Sequence, residues 1–268
     1  MRSAPRSDRS FLPATERLPE LTVPEATLER LRAGTLEVVG RLVDASNATF
    51  VCRLVDVPAP EAESGPSEES DVQVVYKPTR GERPLDDFPR NTLSRREVAA
   101  FALSEATGWG VVPPTVWRDG PLGPGMAQLW IDQDEDVDVL QMILARDDRM
   151  RQICVFDILA NNADRKGGHL LPTADGHVYG VDHGICFATA PKLRTVLWGW
   201  RNEELLPHEL DVVRDVCDGL DGPLREALGE FIDPREIDAT QRRAAALAAS
   251  GRFPEPDPTR PALPWPPF

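Results

Sequence analysis

The sequence predicts an α+β protein of two lobes, a small antiparallel sheet followed by a mostly helical part. Three observations predict it. Segments rich in Val, Thr and aromatic residues crowd the first half, TLEVVGRLV (35–43), TFVCRLV (49–55) and VQVVYKP (72–78), a composition that fits a pleated, half-buried surface. After about residue 138 the apolar residues recur at helical spacing instead. The 268 residues, 41% of them hydrophobic, suffice for one large domain or two lobes sharing a cleft.

Residues 1–22 form a polar, Pro- and Arg-containing lead expected to be disordered. A short helix, PEATLERLRAG, starts at Pro24 and stops at Gly34, the usual asymmetry of helix ends. The three strand candidates then form a meander. Between the second and third lies an acidic Pro/Ser/Gly insert (58–71) that buries too little apolar surface to order itself and reads as a solvated hairpin extension. A Pro-rich loop, TRGERPLDDFPRNT, leads into a helix from about Ser94 to Thr107, with apolar Val98, Phe101 and Ala102 and with Glu105 facing away. VVPPTVWRDG and GPGMAQLWI supply two more strands around a turn, completing a first lobe at 23–133.

The second lobe, 134–252, begins in the acidic linker DQDEDVD. VLQMILARDDRMRQICVFDILANN carries helical spacing through Ile153 and Ile158, and three further helical segments follow from about residue 203. A Pro-rich tail, 253–268, ends the chain, and no internal repeat is visible.

Composition excludes several classes. A net charge of −14 repels nucleic acids and anionic lipid surfaces, so nucleic acid is not an expected partner and any anionic ligand needs a local cationic cluster. No window approaches a membrane span, and MRSAPRSDRSFLPATER lacks the apolar core of a signal peptide, so a cytoplasmic protein is expected. Cys52, Cys154, Cys186 and Cys217 sit singly in apolar or helical contexts and read as core thiols. Of the 30 basic residues only Lys77, Lys166 and Lys192 are lysines. Where lysine persists amid such arginine bias, its compact ammonium marks a candidate site.

Two polar knots concentrate the chemistry. FDILANNADRKGGHLL passes from an apolar run into Asn161, Asn162, Asp164, Arg165 and Lys166, and YGVDHGICF places Asp182 and Gly184 after a second apolar run. Phosphoryl transfer needs a lysine on the phosphates, a carboxylate near the nucleophile and ligands for a divalent cation. The chain offers these in order: Lys77 at a strand end, Glu97 on the next helix as its partner, a hinge strand ending in Gln128, Leu129, Trp130 and Ile131, then Asp164 and Asp182.

The succession VxYKP, helical Glu, QLW hinge, NxADRKGGH and VDHG resembles the kinase fold. It is most similar to the phosphatidylinositol 3-/4-kinase-related group, including its bacterial members, and especially to type II phosphatidylinositol 4-kinases. The resemblance covers about residues 35–200. It implies a two-lobed protein-kinase-like fold and an ATP-dependent phosphotransferase using Mg²⁺ or Mn²⁺. Asp164 is then the catalytic carboxylate, flanked by Arg165 and Lys166, and Asp182 is a metal ligand. Ser46, Asn47 and Thr49, in VDASNAT (43–49), belong to the phosphate-covering loop.

One position departs from that pattern. His169 stands where the family's second metal-binding residue is usually Asn; a neutral imidazole can hold a divalent ion, with nitrogen suiting Mn²⁺ better than Mg²⁺. Asn161 and Asn162 remain as alternative oxygen donors or loop braces. A transition-metal site of His169, Asp182, His183 and Cys186 is a competing grouping. The segment CFATAPKLRTVLWGWRN, with Lys192, Arg194, Trp198, Trp200 and Arg201, suits an anionic acceptor or a buried aromatic ledge. The acceptor is an inositol lipid, a small molecule or a protein. A nucleotide-binding pseudokinase acting as sensor or scaffold, and an enzyme transferring AMP, are the alternatives.

Overall fold

A computed structural model describes residues 23–42, 47–55 and 72–268. The 1–22 lead, Ser46 with the start of the 43–49 loop, and the 58–71 insert lie outside the described residues.

Helix α1 (Glu25–Ala33) runs between Pro24 and Gly34 as expected and buries Leu28 and Leu31. Strands β1 (Thr35–Leu42), β2 (Thr49–Val55), β3 (Gln73–Pro78), β4 (Thr115–Gly120) and β5 (Gly123–Leu129) form one antiparallel sheet in the order β1-β2-β3-β5-β4. Alternation along β3 buries Val74 and Tyr76 in the core and turns Val75 and Lys77 to the opposite face. That two-residue period is what brings Lys77 into a cleft rather than into the core. Gly125 pairs with Pro78; a Cβ there would collide with the Lys77 carbonyl, so glycine permits β5 to approach the strand end that carries Lys77.

Helix α2 (Leu93–Thr107) follows the Pro-rich loop and ends at Gly108 in the left-handed conformation, φ 65°. It packs on β4 and β5 and also against helices α5 (Pro207–Gly219) and α6 (Pro223–Gly229). Burial on several sides explains why its sequence lacks a clean amphipathic stripe and why Arg96 and Glu97 are buried with it.

The stretch after the linker differs from the continuous helical spacing of the sequence. It divides into α3 (Val139–Ala145), a single 3₁₀ turn, and α4 (Arg151–Ala160). Arg146 adopts φ 59°, and the Asp147 carboxylate accepts from the Arg149 N–H at 3.1 Å, starting a new turn. An aspartate that satisfies free N–H groups competes with continuing the helix. Helix α4 is buried over almost its whole length and forms the centre of the helical lobe. It ends at Asn161, also left-handed at φ 52°, so the first polar knot follows a helix and not a strand. A short hairpin, β6 (Leu170–Pro172) with β7 (Val178–Gly180), separates the two knots and sets them side by side.

Helix α7 (Pro234–Ser250) begins with Asp233 and Glu236 capping each other's backbone N–H groups. Buried Cys52, Cys154 and Cys186 and half-buried Cys217 are free thiols, as read from the sequence. The Pro-rich tail forms no helix or strand, yet Phe253 is buried and Pro267 accepts the Gly167 N–H at 2.8 Å. Among the described residues no helix is long and apolar enough to cross a membrane.

Candidate active site

Lys77 Nζ lies 2.5 Å from Glu97 Oε1 and 2.9 Å from Asp182 Oδ1. The other Glu97 oxygen accepts the His183 N–H at 2.8 Å. Glu97, only 1% exposed, thus ties the β3 lysine to the backbone beside Asp182. Asp182 has φ 60°, a conformation aspartate tolerates better than most residues, and leaves about half of its side chain exposed to the cleft. Burial lowers the affinity of Lys77 for its proton, but the Asp182 and Glu97 carboxylates outweigh it and hold the ammonium above lysine's ordinary value. Lys77 in turn holds the Asp182 carboxyl well below the usual range.

The first knot is built as a rigid loop. Asn162 Oδ1 accepts the Asp164 N–H at 2.9 Å, and the Asn162 amide donates to Asp157 Oδ1 at 2.9 Å. Asn161 donates to the Ala188 and Ala190 carbonyls and accepts the Lys192 N–H at 2.8 Å. Both asparagines are therefore loop braces, not oxygen donors to a cation. Asp164 faces Lys166 Nζ at 3.2 Å, and burial pushes its carboxyl above the ordinary aspartate value.

Arg165 does not stand with them at a surface. Its guanidinium is fully buried, bidentate to Asp157, and donates to the Val181 carbonyl at 2.9 Å and to His183 at 2.6 Å. It bolts α4 to both knots and reaches no substrate, which corrects its placement among catalytic groups. Asp157 is the residue the sequence reading missed. Its signal was an acid within the apolar run CVFDILA, where only a paired carboxylate is tolerable.

A cavity of about 530 Å³ opens between the lobes. Of the expected nucleotide residues, Asn47, Thr49, Lys77, Gln128, Leu129, Trp130 and Ile131 line it, together with Asp182. Glu97 does not line it and acts through Lys77. Asn47 accepts the Arg83 N–H at 2.8 Å, fixing the end of the 43–49 loop. Gln128 donates to Thr115 Oγ1 at 2.8 Å and is buried at the back. Asp132 and Glu135, not singled out in the sequence, join the lining, as do apolar Leu42, Val75, Leu171 and Val181.

His169 Nε2 lies 3.5 Å from Asp182 Oδ2, and its Nδ1 is buried without a partner among the described residues. Burial lowers the imidazole to about 4, against the pull of Asp182 and with Arg165, Lys166 and Lys77 adding to it. The ring is neutral at pH 7 and keeps a lone pair. Together Asp182 and His169 fit a divalent cation that retains water and phosphate oxygens as its other ligands. The competing transition-metal set does not form: His183 and Cys186 are fully buried, and no cluster of three or more such ligands occurs among the described residues.

In the 186–202 segment, Trp200 is core, Trp198 donates to the Ala262 carbonyl at 2.9 Å, and Lys192 pairs with Asp87. The aromatic-ledge reading therefore holds for Trp200.

No family model matches the chain. A solved structure of hydra Fam20 with sugar covers 84% of this chain and 86% of its own at TM-score 0.52 and 14% identity. The Helicobacter pylori proinflammatory kinase CtkA gives TM-score 0.42 and 14% identity over 81% of this chain and 97% of its own, a score on which no argument rests. The architecture is accordingly a kinase-like fold of two lobes, and identities this low establish the fold alone. Protein Rv2133c of Mycobacterium tuberculosis is 42% identical over 273 residues, 89% of this chain and 94% of that one. The chain therefore belongs to the family of Protein Rv2133c.

Proposed function

We propose that this chain is an ATP-dependent phosphotransferase whose loops are arranged as in the phosphatidylinositol 3-/4-kinase-like group. The observation that carries the reading is the bridge from Lys77 to Glu97 and Asp182 on the wall of a cleft of nucleotide size. In this reading Lys77 is held ready to receive phosphate oxygens, and Leu42, Val75, Leu171 and Val181 sandwich the base while Gln128 to Ile131 form its edge. Asn47 and Thr49 stand at the phosphate end, where the resemblance also assigns Ser46, and Asp132 and Glu135 suit the ribose hydroxyls. Asp182 and His169 would hold Mg²⁺ or Mn²⁺, which when bound neutralises charge on the transferred group. Asp164 orients the acceptor hydroxyl and takes its proton, a role its raised affinity for protons favours. Lys166 stands beside Asp164. The lobes meet near 133/134, and the 253–268 tail packs against the helical one.

The test is to incubate the purified protein with ATP and Mg²⁺ or Mn²⁺ and identify the products, using inositol lipids, small polyols and proteins as acceptors. ADP formation is the expected result. Pyrophosphate would replace this reading with nucleotidyl transfer. The second reading, a nucleotide-binding pseudokinase, is favoured by His169 at the position where the resemblance expects Asn, and it predicts bound ATP recovered intact under both metals.

A further inference from the structure

A second cavity, of about 730 Å³, lies between α7, the 191–194 segment and the Pro-rich stretch after Gly251, and shares no lining residue with the nucleotide cleft. Its inner wall is apolar, with Ile158, Leu247 and Phe253 among its contributors. Five cations line it, Lys192, Arg194, Arg243, Arg252 and Arg260, against the carboxylates of Glu255 and Asp257. In a chain of net charge −14 such a concentration is against the overall field.

Two of the five have no carboxylate within ion-pair distance among the described residues. The Arg243 guanidinium donates only to neutral acceptors, the Leu159 carbonyl at 3.1 Å, the Ala188 carbonyl at 3.3 Å and Thr240 Oγ1 at 2.8 Å. Arg194 makes no side-chain hydrogen bond or close ion pair among the described residues, and its charge acts only at longer range, on Asp87 and Asp164. The other three are neutralised locally: Lys192 by Asp87, Arg252 by Glu204, Arg260 by Asp257. Glu255 accepts from Asn202. A guanidinium held largely out of water without a counter-charge is costly, and an anion entering the cavity offsets that cost. Burial lowers Arg243 to about 10, and the longer-range pull of Glu236 does not offset it.

We propose that this cavity is a second ligand site that takes a small phosphate-bearing molecule with an apolar body. Arg194 and the remaining N–H groups of Arg243 present planar donors that match phosphate oxygens, and the apolar wall receives the rest of the molecule. The volume falls within the range of small-molecule sites. The outer wall leads onward to the active loop, since Ala262 accepts the Thr195 N–H at 3.1 Å and Pro267 accepts from Gly167.

Calorimetric titration with phenyl phosphate tests the proposal without reference to turnover, so its outcome is separate from that of the kinase reading. Wild type should bind phenyl phosphate, with inorganic phosphate and benzyl alcohol each weaker by roughly tenfold or more, because one lacks the apolar body and the other the charge. Arg194→Met should weaken phenyl phosphate by roughly tenfold or more and leave the fold intact, since that side chain bonds to nothing described. Arg243→Met should do the same, and Arg194→Met keeps the test valid if loss of the Arg243 carbonyl contacts unfolds the chain. Lys77→Met, which disables the nucleotide cleft, should change nothing. Absence of phenyl phosphate binding, equal binding by benzyl alcohol, retention in Arg194→Met, or loss in Lys77→Met would each overturn the proposal.

Discussion

Asp182 and His169 meet at 3.5 Å, yet their surroundings push them to opposite uses: Lys77 keeps Asp182 ionised while burial keeps His169 neutral. The folded imidazole titrates at about 4, below its ordinary 6.5, so between those values the unfolded chain binds the extra proton. Stability therefore rises with pH across that window and is lost as pH falls through it, by on the order of 3 kcal/mol at most. Denaturant unfolding of metal-free protein at several pH values should show this loss, and His169→Asn should flatten it. An equal acid sensitivity in the variant would remove His169 from the account. The same substitution exchanges nitrogen for oxygen beside Asp182, so Mg²⁺-supported activity should rise relative to Mn²⁺; an unchanged ratio would assign His169 to bracing alone. Asp164→Asn should bind ATP within about threefold of wild type while transfer falls by roughly 10² or more. Undiminished transfer would show that the base lies elsewhere.

The elements explain which of these residues could be read in advance. Lys77, Asp164 and Asp182 were legible because each sits where a periodic segment gives way to a loop, and because lysine is rare in this chain. The break at Arg146 was not, since apolar spacing continues through it and only the capping by Asp147 reveals the new turn. Nor was the role of Arg165, whose sequence neighbours Asp164 and Lys166 pair with each other in partly exposed positions while its own side chain turns into the protein. Its partner Asp157 comes from the middle of α4, and that pairing is visible only once both knots are folded together. Arg165→Met leaves the Asp157 charge buried and unpaired, which should lower unfolding free energy by about 3–5 kcal/mol. Replacing both, Asp157→Leu with Arg165→Met, should recover part of it. Chemical denaturation of the single and double variants measures the difference, and a single variant as stable as wild type would show that the network does not brace the loops.

For the whole molecule, the sheet and the helical lobe matter because they hold three charges from distant parts of the chain at one cleft: Lys77 from β3, Glu97 from α2, Asp182 from the loop after β7. Binding Mg²⁺–ATP is the property this architecture is read to serve. The most direct measurement is calorimetric titration of Mg²⁺–ATP into wild type and Lys77→Met, with circular dichroism confirming that both are folded. The account predicts a single nucleotide bound by wild type and a loss of affinity of roughly 10²-fold in the variant, the usual scale for removing a preorganised charge from a water-poor cleft. Equal affinity in the two proteins, or no binding by wild type, would contradict it.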